Sequence, residues 1–197
     1  MICCGSISNG MRFLRLRRRE VVVRPAAVYR AGTLTPNMKD HSMSATVIVE
    51  TATLDDLPGM VDVLGDDDVG GHGDVWSEAT APAYRAAFAE ISADPNAELI
   101  VAREGGKVLG VLLLRFNRSI SDRGALRAML QSVFVGAAAR GKGVGRLMVA
   151  EAERRATLRG ADFVNLISNK KRTDAHRFYR TLGYDQSHEG FKKKLST

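Results

Sequence analysis

Thiols and long apolar runs are what this chain of 197 residues lacks. Its two cysteines, Cys3 and Cys4, are adjacent and sit at the very start, so the remainder has no thiol for a disulfide, a zinc site or a nucleophile. No stretch approaches the roughly 18 to 20 consecutive apolar residues that a membrane-spanning helix needs, and the longest candidate, KVLGVLLLRF, has the size of a strand. The first 42 residues contain no unbroken apolar segment of the kind a secretory signal requires, because VVV and AAVY are split by Arg24 and Pro25. These absences predict a cytoplasmic protein with no membrane partner. Internal repeats are also missing.

Charge is present but unevenly placed. The net +7 divides into +6 over residues 1–42, where eight Lys/Arg face two Asp/Glu, and +1 over the remaining 155 residues. The basicity therefore belongs to the N-terminal segment, and the nearly neutral body gives no ground for a nucleic-acid partner of the folded domain. Residues 1–42 are Arg-rich, poor in acids and without periodicity, which predicts a disordered extension. The folded domain is expected over 43–197, a length that supports one full apolar core.

The body alternates cleanly between patterns. TVIVET reads as a strand, followed by a helix over LDDLPGMVDVL that Thr53 and Asp56 open as a capping box. GDDDVGGHGD breaks the chain, and a second helix is expected over 76–91. ELIVARE and KVLGVLLLRFN, separated by Gly105 and Gly106, form a hairpin, and ALRAMLQSVFV is a further strand ending at Val135. VGRLMVAEAERRATLR places Val144, Leu147, Met148 and Ala152 on one face of a helix closed by Gly160. ADFVNLI, DAHRFYRTLGY and HEGFKKKL then read as strand, helix and strand. The order β-α-α-β-β-β-α-β-α-β implies an α/β fold, a mixed sheet with helices on both faces.

Between the third meander strand and the long helix lies GAAARGKGVGRL, whose first eight residues nearly spell a P-loop. Gly143 stands where a P-loop needs a hydroxyl for magnesium, and no strand ends in the supporting acid. An NTPase is therefore disfavoured. What remains is a strand, a run of alternating glycines and a helix N-terminus flanked by Arg140, Lys142 and Arg146, which together make a metal-free cradle for a pyrophosphate.

Arg140-Gly141-Lys142-Gly143-Val144-Gly145 resembles the R/Q-x-x-G-x-G/A loop of the GNAT superfamily of acyl-CoA-dependent N-acetyltransferases, and DAHRFYRTLGY resembles a second block of that family through Ala175, Phe178, Tyr179, Gly183 and Tyr184. The resemblance covers about residues 45–195. It implies the GNAT fold and acetyl-CoA as co-substrate, with the loop amides on its pyrophosphate and the backbone of Val133 and Val135 along its pantetheine arm. It also implies that Tyr179 protonates the leaving thiolate, and that Asn169 and Arg172 border the coenzyme. Where many relatives carry a glutamate on the strand before the loop, this chain has Gln131, and an amide cannot accept a proton at neutral pH. The base is then a water relayed by the strand or by Gln131, or His72, Glu78 or His188.

The family borders its acceptor site with the segment after the first helix, and Asp62, Asp66, Asp67, Asp68 and Asp74 there could draw a cationic amine. A metal held by Asp66, Asp68 and His72 is disfavoured, because adjacent acids in a glycine loop rarely hold coordination geometry unaided. The reading is an acetyltransferase acting on a small-molecule primary amine without a metal. A protein lysine or N-terminal acetyltransferase and a non-catalytic CoA-binding module are the alternatives, and a homodimer is left open. Arg172 suits either a coenzyme phosphate or an anionic substrate group. His176 is expected to be structural.

Overall fold

The computed structural model describes residues 27–28, 46–67 and 73–195. Six strands form one sheet in sequence order: β1 (Ala27–Val28), β2 (Ile48–Thr51), β3 (Ala97–Glu104), β4 (Lys107–Arg118), β5 (Leu126–Val135) and β6 (Phe163–Leu166). β1 to β5 run antiparallel to their neighbours, and β5 and β6 are parallel. Among the described residues the helices of two turns or more are α1 (Leu57–Gly65), α2 (Ala81–Ala93), α3 (Val144–Leu158) and α4 (Thr173–Thr181). This is the predicted mixed α/β sheet with helices on both faces.

Local signals fix most boundaries. The main-chain N–H and the hydroxyl of Thr53 both donate to Asp56 Oδ2, at 2.7 and 2.8 Å, and the chain passes through a single 3-10 turn before α1 begins. Gly105 and Gly106 both have positive φ, 56° and 83°, as a two-residue hairpin turn requires. Helix α2 starts at Ala81, five residues later than its apolar pattern suggests, because Ser77 and Thr80 first close a side-chain-stapled turn and Pro82 occupies the first helical turn.

The two sheet faces bury different clusters. On one, α1 contributes Met60 and Val63 against Val101, Val108, Val111 and Phe134. On the other, α3 buries Val144, Met148, Val149, Ala152 and Ala156 against Ile100, Leu112, Leu114 and Leu130, and Phe178, Tyr179 and Tyr184 pack beside them. Sequence alternation along β4 and β5 thus decides which helix each side chain meets.

One predicted strand does not form. Residues 188–195 pair with no strand among the described residues, and Phe191 and Leu195 are exposed. Period-two alternation in HEGFKKKL groups Glu189 and Lys193 with Phe191 and Leu195, so no apolar face exists to bury against the sheet. Of the basic extension, Ala27–Val28 are described, as the strand paired with β2. The remainder of 1–42 lies outside the described residues.

Candidate functional site

Strand β5 breaks its own regularity at Ser132, whose φ is +47°. On β4 one residue separates Val111 from Leu113, but on β5 two residues separate their partners Phe134 and Gln131, so Ser132 and Val133 form a β-bulge. Pairing between β5 and β6 covers Arg127–Leu130 with Phe163–Leu166 and stops there. Beyond it no ladder joins the two parallel strands, so the second half of β5 has an unpaired edge on its β6 side, the cleft side of the strand, where Val133 and Val135 are half-buried.

The Gly136 N–H donates across to Leu109 O at 2.9 Å, which turns the backbone of residues 134 and 136 toward β4. Alternation then directs the peptide groups of Val133 and Val135 to the cleft side. The Val135 carbonyl there accepts from Arg140 Nε at 3.1 Å. The predicted backbone partners of a coenzyme arm are therefore on the cleft side of β5, with the Val135 carbonyl occupied by the loop itself.

The loop follows directly. Gly141 and Gly143 have φ of +74° and +83°, and a Cβ on either would meet nothing within 4 Å. Backbone conformation is what requires glycine at both, and they face open space. Gly145 is different: a Cβ there would stand 3.4 Å from Phe178 Cζ and 3.6 Å from Val135 Cγ2, so this glycine lets α3 lie close to β5 and α4. Leu147 N–H bonds to Gly143 O, which leaves the N–H groups of Val144, Gly145 and Arg146 without a partner inside the helix. Lys142 and Arg146 are exposed beside them. Open amides, a helix dipole and two cations make a fit for a pyrophosphate.

Arg140 has a bracing part. Besides Val135 O, it donates from Nη2 to Asp66 O at 2.6 Å, and Asp66 Oδ2 accepts from Ala137 N at 2.9 Å. The end of α1 is thereby stitched to the loop. The next residue, Asp67, has a side chain only 4% exposed and pairs with Arg172 at the start of α4. Arg172 also lies over the Phe134 ring, 5.3 Å from its centroid. The sequence offers Asp66 and Asp67 as acceptor-loop acids, and Asp66 also as part of the disfavoured metal set; their partners are 71 and 105 residues away, and no local spacing signals such pairs.

Tyr179 projects from α4 into the group formed by Phe178, at 5.1 Å between ring centroids, and Tyr184, at 5.6 Å. Burial pushes its phenol pKa up to about 12, with the nearby Arg172 charge pulling the other way. It is therefore a protonated hydroxyl throughout the physiological range. Tyr184 donates its own hydroxyl to Glu153 Oε1 of α3 at 2.8 Å, a link the sequence did not reveal.

The other predicted residues lie on several elements, Gln131 on β5 itself. Gln131 donates from Nε2 to Met129 Sδ at 3.4 Å. Asn169 spends its side-chain oxygen on Lys171 N, 2.9 Å, in the turn before α4. Glu78 is exposed ahead of α2, and the exposed His188 is bonded to Ser187; neither shares a hydrogen bond or ion pair with Tyr179 or Gln131. Asp68 and His72 lie outside the described residues. His176 continues the helical ladder from Arg172 O. Among the described residues no three His, Cys, Asp or Glu side chains group as a metal site, and no helix is long and apolar enough to cross a membrane.

Known proteins match the sequence and the fold. The model of the acetyltransferase (GNAT) family matches residues 58–184. Aminoalkylphosphonate N-acetyltransferase of Salmonella typhimurium is 35% identical over 119 residues, which is 60% of this chain and 77% of the relative. A solved structure described as a transcriptional regulator from Bacillus halodurans C-125 superposes with a TM-score of 0.73 at 39% identity, covering 76% of this chain and 99% of that one. A putative acetyltransferase from Agrobacterium tumefaciens superposes with a TM-score of 0.66 at 25% identity, over 75% of this chain and 99% of its own.

Proposed function

Because the chain belongs to the acetyltransferase (GNAT) family and is thereby an acyltransferase, we propose that it moves an acetyl group from acetyl-CoA to the primary amine of a small molecule, by direct attack within a ternary complex. The observation that carries this reading is the juxtaposition at one cleft: the open amides at the start of α3, the cleft-side backbone of β5 and the protonated phenol of Tyr179. The loop binds the pyrophosphate through Val144, Gly145 and Arg146 N–H groups, with Lys142 and Arg146 supplying charge. Gly141 and Gly143 give the backbone its path, and Arg140 holds that path in place.

The chemistry follows from the groups in reach. The amine enters neutral, and its nitrogen bonds to the acetyl carbon. The carbon–sulfur bond breaks, the sulfur takes the Tyr179 proton, and the proton shed by the nitrogen returns to the phenoxide through water. An N–H of β5, at Val133, is suited to polarise the thioester carbonyl. Gln131 cannot act as the base, so water along the cleft carries the proton from the amine.

The relative from Salmonella typhimurium is named for a small amine substrate, which supports a small acceptor over a protein lysine. Steady-state thiol release with a panel of amines tests the reading. The expected result is release that depends on both acetyl-CoA and an amine, and that falls in Tyr179→Phe. Full activity in that variant removes the tyrosine as the acid.

A further inference from the structure

Arg172 precedes α4, which packs with the α3 cluster, but its side chain reaches the other face of the sheet. The loop opens α3, whose buried side chains belong to the cluster shared with Leu112, Leu114 and Leu130. Arg172 lies instead over Phe134, which packs with Met60 and Val63 of α1 on the other face. That second face is where the acidic chain leaving α1 runs, through Asp66 and Asp67. Asp66 also bonds to Arg140 and Ala137 of the loop, so Arg172 stands where the α1 side of the site meets the cradle, within reach of a molecule that enters from the α1 side.

Its environment fits a binding role. Asp67 is nearly buried and pairs with Arg172 from within, while the arginine side chain keeps 27% of its surface exposed. The guanidinium is thus fixed in direction and still reachable from solvent. A planar fork of N–H donors pairs with the two oxygens of a carboxylate, phosphonate or phosphate better than any other side chain. Its charge also reaches the phenol of Tyr179, so an anion on Arg172 is held near the reacting centre.

We propose that Arg172 is an acceptor-specificity residue that binds an anionic group on the amine substrate. The preferred substrates are then zwitterions, with an oxyanion of phosphorus or carbon a few bonds from the amine nitrogen. Asp62 and Asp66 line one pocket along α1, and their charge attracts the ammonium end, so the two charges of the substrate meet complementary signs. The inference rests on the small-amine acetyltransferase reading above.

The test uses the full-length protein at saturating acetyl-CoA, with three acceptors of matched length: 2-aminoethylphosphonic acid, 3-aminopropionic acid and propylamine. A charge-assisted hydrogen-bonded pair corresponds to a preference of about 10- to 100-fold in kcat/KM for an anionic acceptor over propylamine. Comparing the phosphonate with the carboxylate identifies which oxyanion is read. Arg172→Gln is expected to cut the preference at least about tenfold through the KM of the acceptor, with the KM of acetyl-CoA little changed. Removing the partner of a buried carboxylate can unfold the protein, so Arg172→Lys, which keeps Asp67 paired but loses the fork, is measured beside it and is expected to show an intermediate preference.

Equal use of all three acceptors by the wild type overturns the proposal. So does a rise in the KM of acetyl-CoA with an equal loss for every acceptor, which makes Arg172 a coenzyme cation. Absence of thiol release with any amine sinks the underlying reading instead, whereas release without anion preference sinks only the role of Arg172.

Discussion

Arg140 and Val135 are joined by a 3.1 Å hydrogen bond from the guanidinium Nε to the main-chain carbonyl of β5. The same side chain holds Asp66 O, so one residue ties the strand along the cleft, the glycine loop and the end of α1 into one unit. Arg140→Ala is expected to loosen the cradle without touching the acid. The KM for acetyl-CoA should rise about tenfold or more, with kcat changing less, as two charge-assisted bonds worth about 1.5–3 kcal/mol each are lost. Arg140→Lys should recover little, because an ammonium cannot span both carbonyls. Steady-state kinetics with acetyl-CoA varied checks this.

Tyr179 makes a prediction in pH. Burial raises its pKa to about 12, and a general acid works only while protonated, so its contribution persists until the pH nears that value. The acceptor ammonium must lose a proton, so kcat/KM for the amine should rise with pH and show no falling limb below about pH 10. Tyr179→Phe should lower kcat by about 100-fold and leave the KM for acetyl-CoA close to that of the wild type. A descending limb near neutrality in the wild type would assign the acid to another group.

Glu151 is 1% exposed yet charged. Burial alone would push its carboxyl pKa up, but Arg154, bidentate at 2.7 Å on both oxygens, and Arg155 at 2.8 Å outweigh it and hold the value below the ordinary range. Arg155 extends the contact to Glu98 and Thr51, locking α3 to the sheet. A depressed folded-state pKa contributes stability above the unfolded value and loses it as the pH falls through the folded one. Glu151→Gln is expected to cost about 3 kcal/mol near neutral pH. Its melting temperature should also decline less steeply than that of the wild type below about pH 4.5.

Met148 of α3 packs directly onto Gly110 of β4. A Cβ there would stand 2.6 Å from Met148 Sδ and 2.9 Å from Phe134 O, and the second atom is backbone that cannot step aside. Gly110→Ala should destabilise by about 2 kcal/mol and lower Tm by about 6 °C. Because Phe134 belongs to the β5 segment that lines the cleft, the KM for acetyl-CoA should rise with it. Calorimetry and kinetics on the same sample measure both.

What was legible in the sequence was local. The paired glycines at 105 and 106, the apolar stripe of α3, the positive-φ glycines of the loop and the Phe178–Tyr179 block all act within a few residues of themselves, so composition and spacing exposed them. The bulge at Ser132 was hidden, because nothing about Gln-Ser-Val marks an extra residue until β4 is laid beside it. The bracing by Asp66 and Asp67 was hidden for the same reason, since it depends on how two distant arms meet. Alternation alone over-predicted the final strand, whose charges leave it no face to bury. The start of α2 moved because a Ser/Thr staple and a proline outweighed the apolar period.

The role proposed for the cleft between β5 and β6 is acetyl transfer to a small amine, beyond holding a coenzyme. Thiol release from acetyl-CoA, followed with and without a panel of small primary amines, tests it most directly. Amine-dependent release is expected, with a mass gain of one acetyl group on the acceptor and loss of that gain in Tyr179→Phe. Thermal stabilisation by CoA without amine-dependent release from any member of the panel would contradict it.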